Sequence, residues 1–148
     1  MKNEIVKLET AKLLKELGFD WGCNNAYVNL EPYEKFDNTQ TTYMVCQNHN
    51  SKKHRISVPT KALTQKYLRE VHNYHIRVDD FLSYEDKIIW DYEITIIGTD
   101  LDEKGNYTPL VSYGVVDERE FKNYEEALEI GIFRCLKIIQ NEQKIKTT

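Results

Sequence analysis

A chain of 148 residues, 41% hydrophobic and 30% charged, has the length and apolar content of one ordinary domain with a single core. Its 20 Lys and Arg against 24 Asp and Glu give a net charge of −4, which excludes a generic basic nucleic-acid coat. Cysteines at 23, 46 and 135 show no paired spacing, which excludes a disulfide framework and fits a reducing cytoplasm.

The first residues carry charges too closely spaced for a signal-peptide core, and no apolar run approaches the roughly 18 residues of a membrane span. From about 9 to 17, Leu13, Leu14 and Leu17 fall on one side of a helix with Lys12, Lys15 and Glu16 mostly opposite. Gly18 is placed to cap that helix in the left-handed conformation, with Phe19 folding back on its last turn. Turn residues from Asp20 to Asn25 precede a short strand over 26–30, closed by Glu31-Pro32. A polar loop over 33–40 leads to a second strand at 41–46, expected to form a hairpin with the first. Residues 48–55 form a polar, basic connection containing Lys52, Lys53, His54 and Arg55.

Pro59-Thr60 opens a second helix, with Thr60 as N-cap. Leu63, Tyr67, Leu68 and Val71 make its apolar stripe, and Lys61, Gln65, Lys66, Arg69, His72 and Asn73 occupy the remainder. Residues 51–77 hold seven Lys and Arg against one acidic residue, Glu70, so the positive charge of an acidic chain is concentrated here. Asn73 stops the helix, and 75–78 alternates as a strand. The clearest strand is 88–97, with Trp90, Tyr92, Ile94 and Ile96 on one face and Asp91, Glu93 and Thr95 on the other. A turn over 100–106 returns the chain through a partner strand at 110–116, and a charged link over 117–122 follows. Asn123 as N-cap and Glu126 three positions on start a last helix that runs to about 140. That helix is apolar at Ala127, Leu128, Gly131, Ile132, Cys135, Leu136, Ile138 and Ile139, and Ile130 and Phe133 carry apolar character to its other side. Such a helix is sandwiched or covered by a second chain, so a homodimer through 124–140 is one expected partner arrangement. Residues from about 141 read as a frayed polar tail.

Several groupings invite a chemical reading. Cys46-x-x-His49 with His54 and Cys23 offers only one short ligand pair, against the two that a structural zinc site uses. His72, His75, Asp79 and Asp80 crowd a helix-to-strand junction, but helical and strand periodicity point them apart. Asp91 and Glu93 share a strand face as in metal-dependent nucleases, without the lysine that usually continues the motif. Cys135 sits in an apolar stripe and reads as a core thiol. No phosphate-cradling glycine loop or nucleophile motif occurs. The sequence therefore predicts no cofactor, no metal and no catalytic residue. Binding through Lys61, Gln65, Lys66, Arg69 and His72 remains as the candidate surface, for an acidic protein or for nucleic-acid phosphates.

The segments Leu-Lys-Glu-Leu-Gly-Phe-Asp (14–20), Leu-Arg-Glu-Val-His (68–72), Trp-x-Tyr-x-Ile (90–94) and Tyr-Glu-Glu-Ala-Leu-Glu-x-Gly (124–131) together resemble a group of small proteins encoded by phages, prophages and mobile elements of gut bacteria. The resemblance implies an accessory or interaction protein and carries no activity, cofactor or site residue. The expected fold is α+β, one domain over 1–148, with three helices on a mainly antiparallel sheet of about five strands in the order αββαβββα. The expected function is non-enzymatic binding in the cytoplasm, to another protein or to itself and away from membranes. Nucleic-acid binding through the helix at 60–73 and a metal-dependent hydrolase are the alternatives.

Overall fold

Helix α1 (Leu8–Glu16) stops where the sequence places its end. Gly18 is left-handed, with φ +85°. Its N–H donates to the Lys15 carbonyl at 3.1 Å, and that of Phe19 to the Leu14 carbonyl at 2.9 Å. These are the two bonds of a Schellman cap, and they turn Phe19 into the core, where it is fully buried.

The computed structural model describes residues 4–28, 40–101, 104, 107–114 and 121–147, without the side chains of 98–101 and 107–114. Positions 33–39 of the polar loop expected at 33–40, Glu31-Pro32, positions 102, 103, 105 and 106 of the expected turn, the strand ends at 29–30 and 115–116, and positions 117–120 of the charged link lie outside these residues. The architecture is α+β, with three helices and antiparallel strands. The chain groups into two compact units, Met1–Leu63 and Thr64–Thr148.

In the first unit, β1 (Cys23–Val28) lies between β2 (Gln40–Gln47) and β3 (Arg55–Val58) in an antiparallel sheet ordered β2-β1-β3. The β1–β2 hairpin is the expected one, but its register slips between Cys23 and Asn25, so that 43–46 bulge from the ladder. Strand β3 is an addition to the expected order. It pairs in register with β1, from Asn25 opposite Val58 to Val28 opposite Arg55. Asn50, in a 3-10 turn (His49–Ser51), ties the unit together. Its side-chain amide donates to the Phe19 carbonyl at 2.9 Å, and its side-chain oxygen accepts the Ser57 N–H at 2.8 Å. Val6, Ala11, Leu13, Leu14, Ile56 and Val58 are among the buried residues here.

Helix α2 (Lys61–His72) begins in the first unit and continues in the second. Its N-cap is the expected one, with Thr60 Oγ1 accepting the Leu63 N–H at 3.1 Å. Asn73 ends it with φ 61°.

The second unit contains the sheet β4-β5-β6, formed by β4 (Tyr74–Leu82), β5 (Ile88–Leu101) and β6 (Tyr107–Gly114). Helix α3 (Tyr124–Lys146) packs on β4 and β5. It runs to Lys146 where a frayed tail was expected from about 141, because the i to i+4 ladder continues and Thr147 closes it onto the Gln143 carbonyl at 3.2 Å. At its start, Asn123 Oδ1 accepts the Glu126 N–H at 2.9 Å, while the Glu126 carboxylate reaches back to the Lys122 N–H at 3.1 Å. At Gly131 the helix lies close on the sheet: a Cβ there would lie 3.1 Å from Ile76 Cγ2 and 3.1 Å from the Tyr92 ring. Near the far end of α3, the Tyr74 hydroxyl donates to Glu142 Oε1 at 2.6 Å. Tyr74, Ile76, Tyr92, Ile94, Leu128, Ile132, Leu136 and Ile139 are among the buried residues of this unit.

Candidate functional site

The basic helix does not present the face read from its sequence. Its buried line runs through Lys61, Thr64, Tyr67 and Leu68, while Val71 is left exposed. Lys61, expected on the solvent-facing basic side, is only 6% exposed. The physical reason is that a lysine's four-carbon stem can lie along apolar surface like a hydrophobic side chain, so Lys61, next to Leu68 around the helix, joins the buried face; Val71 falls within the same arc, between Tyr67 and Thr64, but stands in the last turn of α2. Gln65 is committed to structure, donating to the Ile76 carbonyl at 3.2 Å. His72 lies near the Tyr67 hydroxyl, at 3.3 Å. Burial holds its pKa below the ordinary imidazole value, an effect the Glu142 carboxylate opposes. Lys66 is exposed and sits 3.8 Å from Glu70. Of the five expected binding residues, only Lys66 and the half-buried Arg69 retain the role of accessible cations.

The other groupings also separate. His49 is fully buried, and its Nε2 contacts the Cys23 carbonyl oxygen at 3.0 Å rather than the thiol. Cys46 and His54 are exposed. In the basic connection, Lys15 Nζ donates to the carbonyls of Arg55 at 2.7 Å and Lys52 at 3.1 Å, and the Arg55 guanidinium lies 4.5 Å over the Tyr43 ring. Arg77 bridges Asp79 at 2.7 Å and Glu93 at 3.1 Å. Asp91 Oδ1 accepts the Tyr92 N–H at 2.8 Å. Among the described residues no three His, Cys, Asp or Glu lie together as a metal site. Cys135 is buried and its thiol pKa is pushed up to about 12 by that burial. On α3, Ile130, Phe133 and Ile138 are half-buried, and Lys137 Nζ lies 5.5 Å from the Phe133 ring centre.

The feature that sequence reasoning missed is the end of the β4–β5 hairpin. Here β4 pairs with β5 without a register shift from Tyr74 opposite Ile96 to Leu82 opposite Ile88. The turn is closed by the Ser83 N–H on the Lys87 carbonyl at 2.8 Å. Asp86 stands in the left-handed region at φ 56°, and Ser83 Oγ accepts the N–H groups of Glu85 and Lys87. This is a three-residue hairpin loop with its left-handed residue last. Helix α3 starts at Tyr124, whose ring meets Trp90 edge-on at 5.8 Å. The strands continue beyond Trp90 and its partner Asp80, so the hairpin overhangs the helix. On that overhang Phe81, Leu82, Tyr84 and Ile88 are 48%, 66%, 110% and 63% exposed. With Ser83, Glu85 and Ile89, the first three border an open cleft of about 660 Å³. The available signal in the sequence was the run Asp79-Asp80-Phe81-Leu82, where apolar residues follow acidic ones just before a turn.

No family model, curated protein or solved structure matches the chain. Among the described residues no helix is long and apolar enough to cross a membrane.

Proposed function

We propose that this chain is a non-enzymatic binding protein, an accessory protein of the phage or mobile-element kind that its sequence resembles, and that its contact surface is the β4–β5 overhang. The observation that carries this reading is the exposure of Phe81, Leu82, Tyr84 and Ile88 at the end of a sheet whose earlier apolar residues, Tyr74, Ile76, Tyr92 and Ile94, are buried. An apolar side chain left in water forgoes up to about 1.5–3 kcal/mol of burial. A cluster of them on one projection marks a place where another surface fits. The overhang and the part of β4 leading into it carry Asp79, Asp80, Glu85 and Asp86 against Arg77 and Lys87, which favours a protein over a polyphosphate. Lys66 and Arg69 alone are too few for a phosphate-tracking surface, since each neutralised phosphate adds only one increment to an affinity built from many.

Panning a random-peptide display library against the immobilised full chain tests the reading, with a Leu82→Ser/Ile88→Ser variant panned in parallel. Peptides enriched on the native chain should fail to bind the variant while its circular dichroism stays native. Enrichment of peptides that bind both chains equally, or no enrichment, overturns it.

A further inference from the structure

The hairpin offers more than an apolar surface, because among the described residues β4 is an edge strand whose only sheet neighbour is β5. In an antiparallel ladder, alternate residues turn their N–H and C=O groups toward the partner and the others turn them away. Ile97 N–H on the Asn73 carbonyl at 2.7 Å and Ser83 N–H on the Lys87 carbonyl at 2.8 Å fix that alternation at the two ends of β4. With the uninterrupted register between them, residues 75, 77, 79 and 81 face β5, and 74, 76, 78, 80 and 82 face outward. The outward carbonyl of Ile76 is taken by the Gln65 side chain. Beyond it, Val78, Asp80 and Leu82 present their main-chain groups on the open side of the sheet.

Natural sheets blunt such edges with prolines, bulges or lysines. Of the other edge strands, β2 bulges over 43–46, β6 contains Pro109 and shifts register against β5, and β3 is only four residues long. Strand β4 is nine residues long with no bulge and no proline, and its protection is limited to the charges of Arg77, Asp79 and Asp80. The carboxylates around it are unequally matched, since Asp79 is held by Arg77 at 2.7 Å and Glu85 by Lys87 at 2.6 Å, whereas among the described residues Asp80 and Asp86 have no ion-pair partner.

Resting on the reading of the overhang as a contact surface, we infer that the outer edge of β4 at Val78, Asp80 and Leu82 accepts an extended, basic peptide segment of a partner protein as an added strand. Main-chain bonds to the three outward residues supply the pairing. Alternate side chains of the added strand then lie beside Asp80 on one face and beside Phe81 on the other, so a cation on the first and an apolar group on the second fit. A second copy fits less well. The antiparallel self-pairing that engages all three outward residues sets Asp80 directly against its own copy, and like charges in that position repel.

The test uses the full chain and an acetylated, amidated peptide alternating Lys and Val, with a Glu-Val peptide as control. Titration should show binding of the Lys-Val peptide alone, and the amides of Val78, Asp80 and Leu82 should gain protection from hydrogen exchange. Asp80→Pro removes an outward N–H without touching the β5 ladder, and should weaken binding about tenfold. Asp80→Asn keeps the N–H and separates the charge contribution from the pairing. Equal binding of both peptides, binding without protection of the three amides, or unchanged affinity in Asp80→Pro overturns the inference. So does concentration-dependent dimerisation of the chain alone with protection of the same amides, which would assign the edge to a second copy. If display panning yields peptides that need Leu82 and Ile88 but leave the three amides exchanging, the contact surface stands and edge addition falls.

Discussion

Replacing Gly131 by alanine sets two opposite effects against each other. In a helix interior alanine is favoured over glycine by about 0.8–1.0 kcal/mol. Against this, the new methyl would stand 3.1 Å from Ile76 Cγ2 and from two atoms of the Tyr92 ring, tighter than comfortable carbon contact. Ile76 and Tyr92 are 2% and 4% exposed, so neither has free space to retreat into. Overpacking of this kind costs roughly 1–3 kcal/mol. The contact should win, with Gly131→Ala losing about 1 kcal/mol and Gly131→Val, which adds two further carbons and a stiff β-branch, about 3 kcal/mol. Trp90 lies in the same unit, so urea unfolding followed by its fluorescence in a Trp21→Phe background reads the change where it occurs. A Gly131→Ala variant more stable than its parent would refute the close seating of α3 on β4 and β5, and with it the limit that leaves the hairpin end uncovered.

The remaining predictions concern groups whose environments are equally specific. Burial lowers the pKa of His49 from its ordinary value of 6.5, opposed by its bond to the Cys23 carbonyl and reinforced by the charges of Arg55 and Lys52; its Nδ1 is buried without a hydrogen-bond partner. The unfolded chain therefore takes up the proton first. The first unit should keep its full stability above about pH 6.5 and lose it as the pH falls below, a slope that Trp21 fluorescence should show and His49→Gln should flatten. Among the three thiols, Cys46 is exposed while Cys23 and Cys135 are buried with raised pKa values. A thiol reagent at pH 8 should modify Cys46 rapidly in the native chain and the other two only on unfolding, and rapid labelling of Cys135 would contradict its placement. Asn123→Ala should cost about 1 kcal/mol through loss of the α3 cap, whereas Asn123→Ser should cost little, as chemical denaturation would show.

The elements that were legible in the sequence are those set by local chemistry. Gly18 and Phe19 announce the end of α1, Thr60 and Asn73 the bounds of α2, Asn123 the start of α3, and the alternation from Trp90 to Ile96 the β5 strand. What was illegible depended on the surroundings. Strand β3 carries no alternation because Ile56, Ser57 and Val58 are all buried, Ser57 through its exchange of bonds with Asn50. Lys61 was left out of the buried face of α2 because polarity by residue type counts it as surface, although its stem is apolar. The overhang was hidden for the opposite reason: Phe81, Leu82 and Ile88 read as core in any hydrophobic pattern, and only the position of the α3 start shows that they stay exposed among the described residues.

The most direct test of the account is the affinity of a display-selected peptide for two variants of the full chain, Leu82→Ser/Ile88→Ser on the hairpin and Lys66→Glu/Arg69→Glu on α2. The account predicts that the hairpin variant loses the peptide while the helix variant binds it as the native chain does. Loss of binding in the helix variant with retention in the hairpin variant would contradict it and return the contact surface to the basic helix.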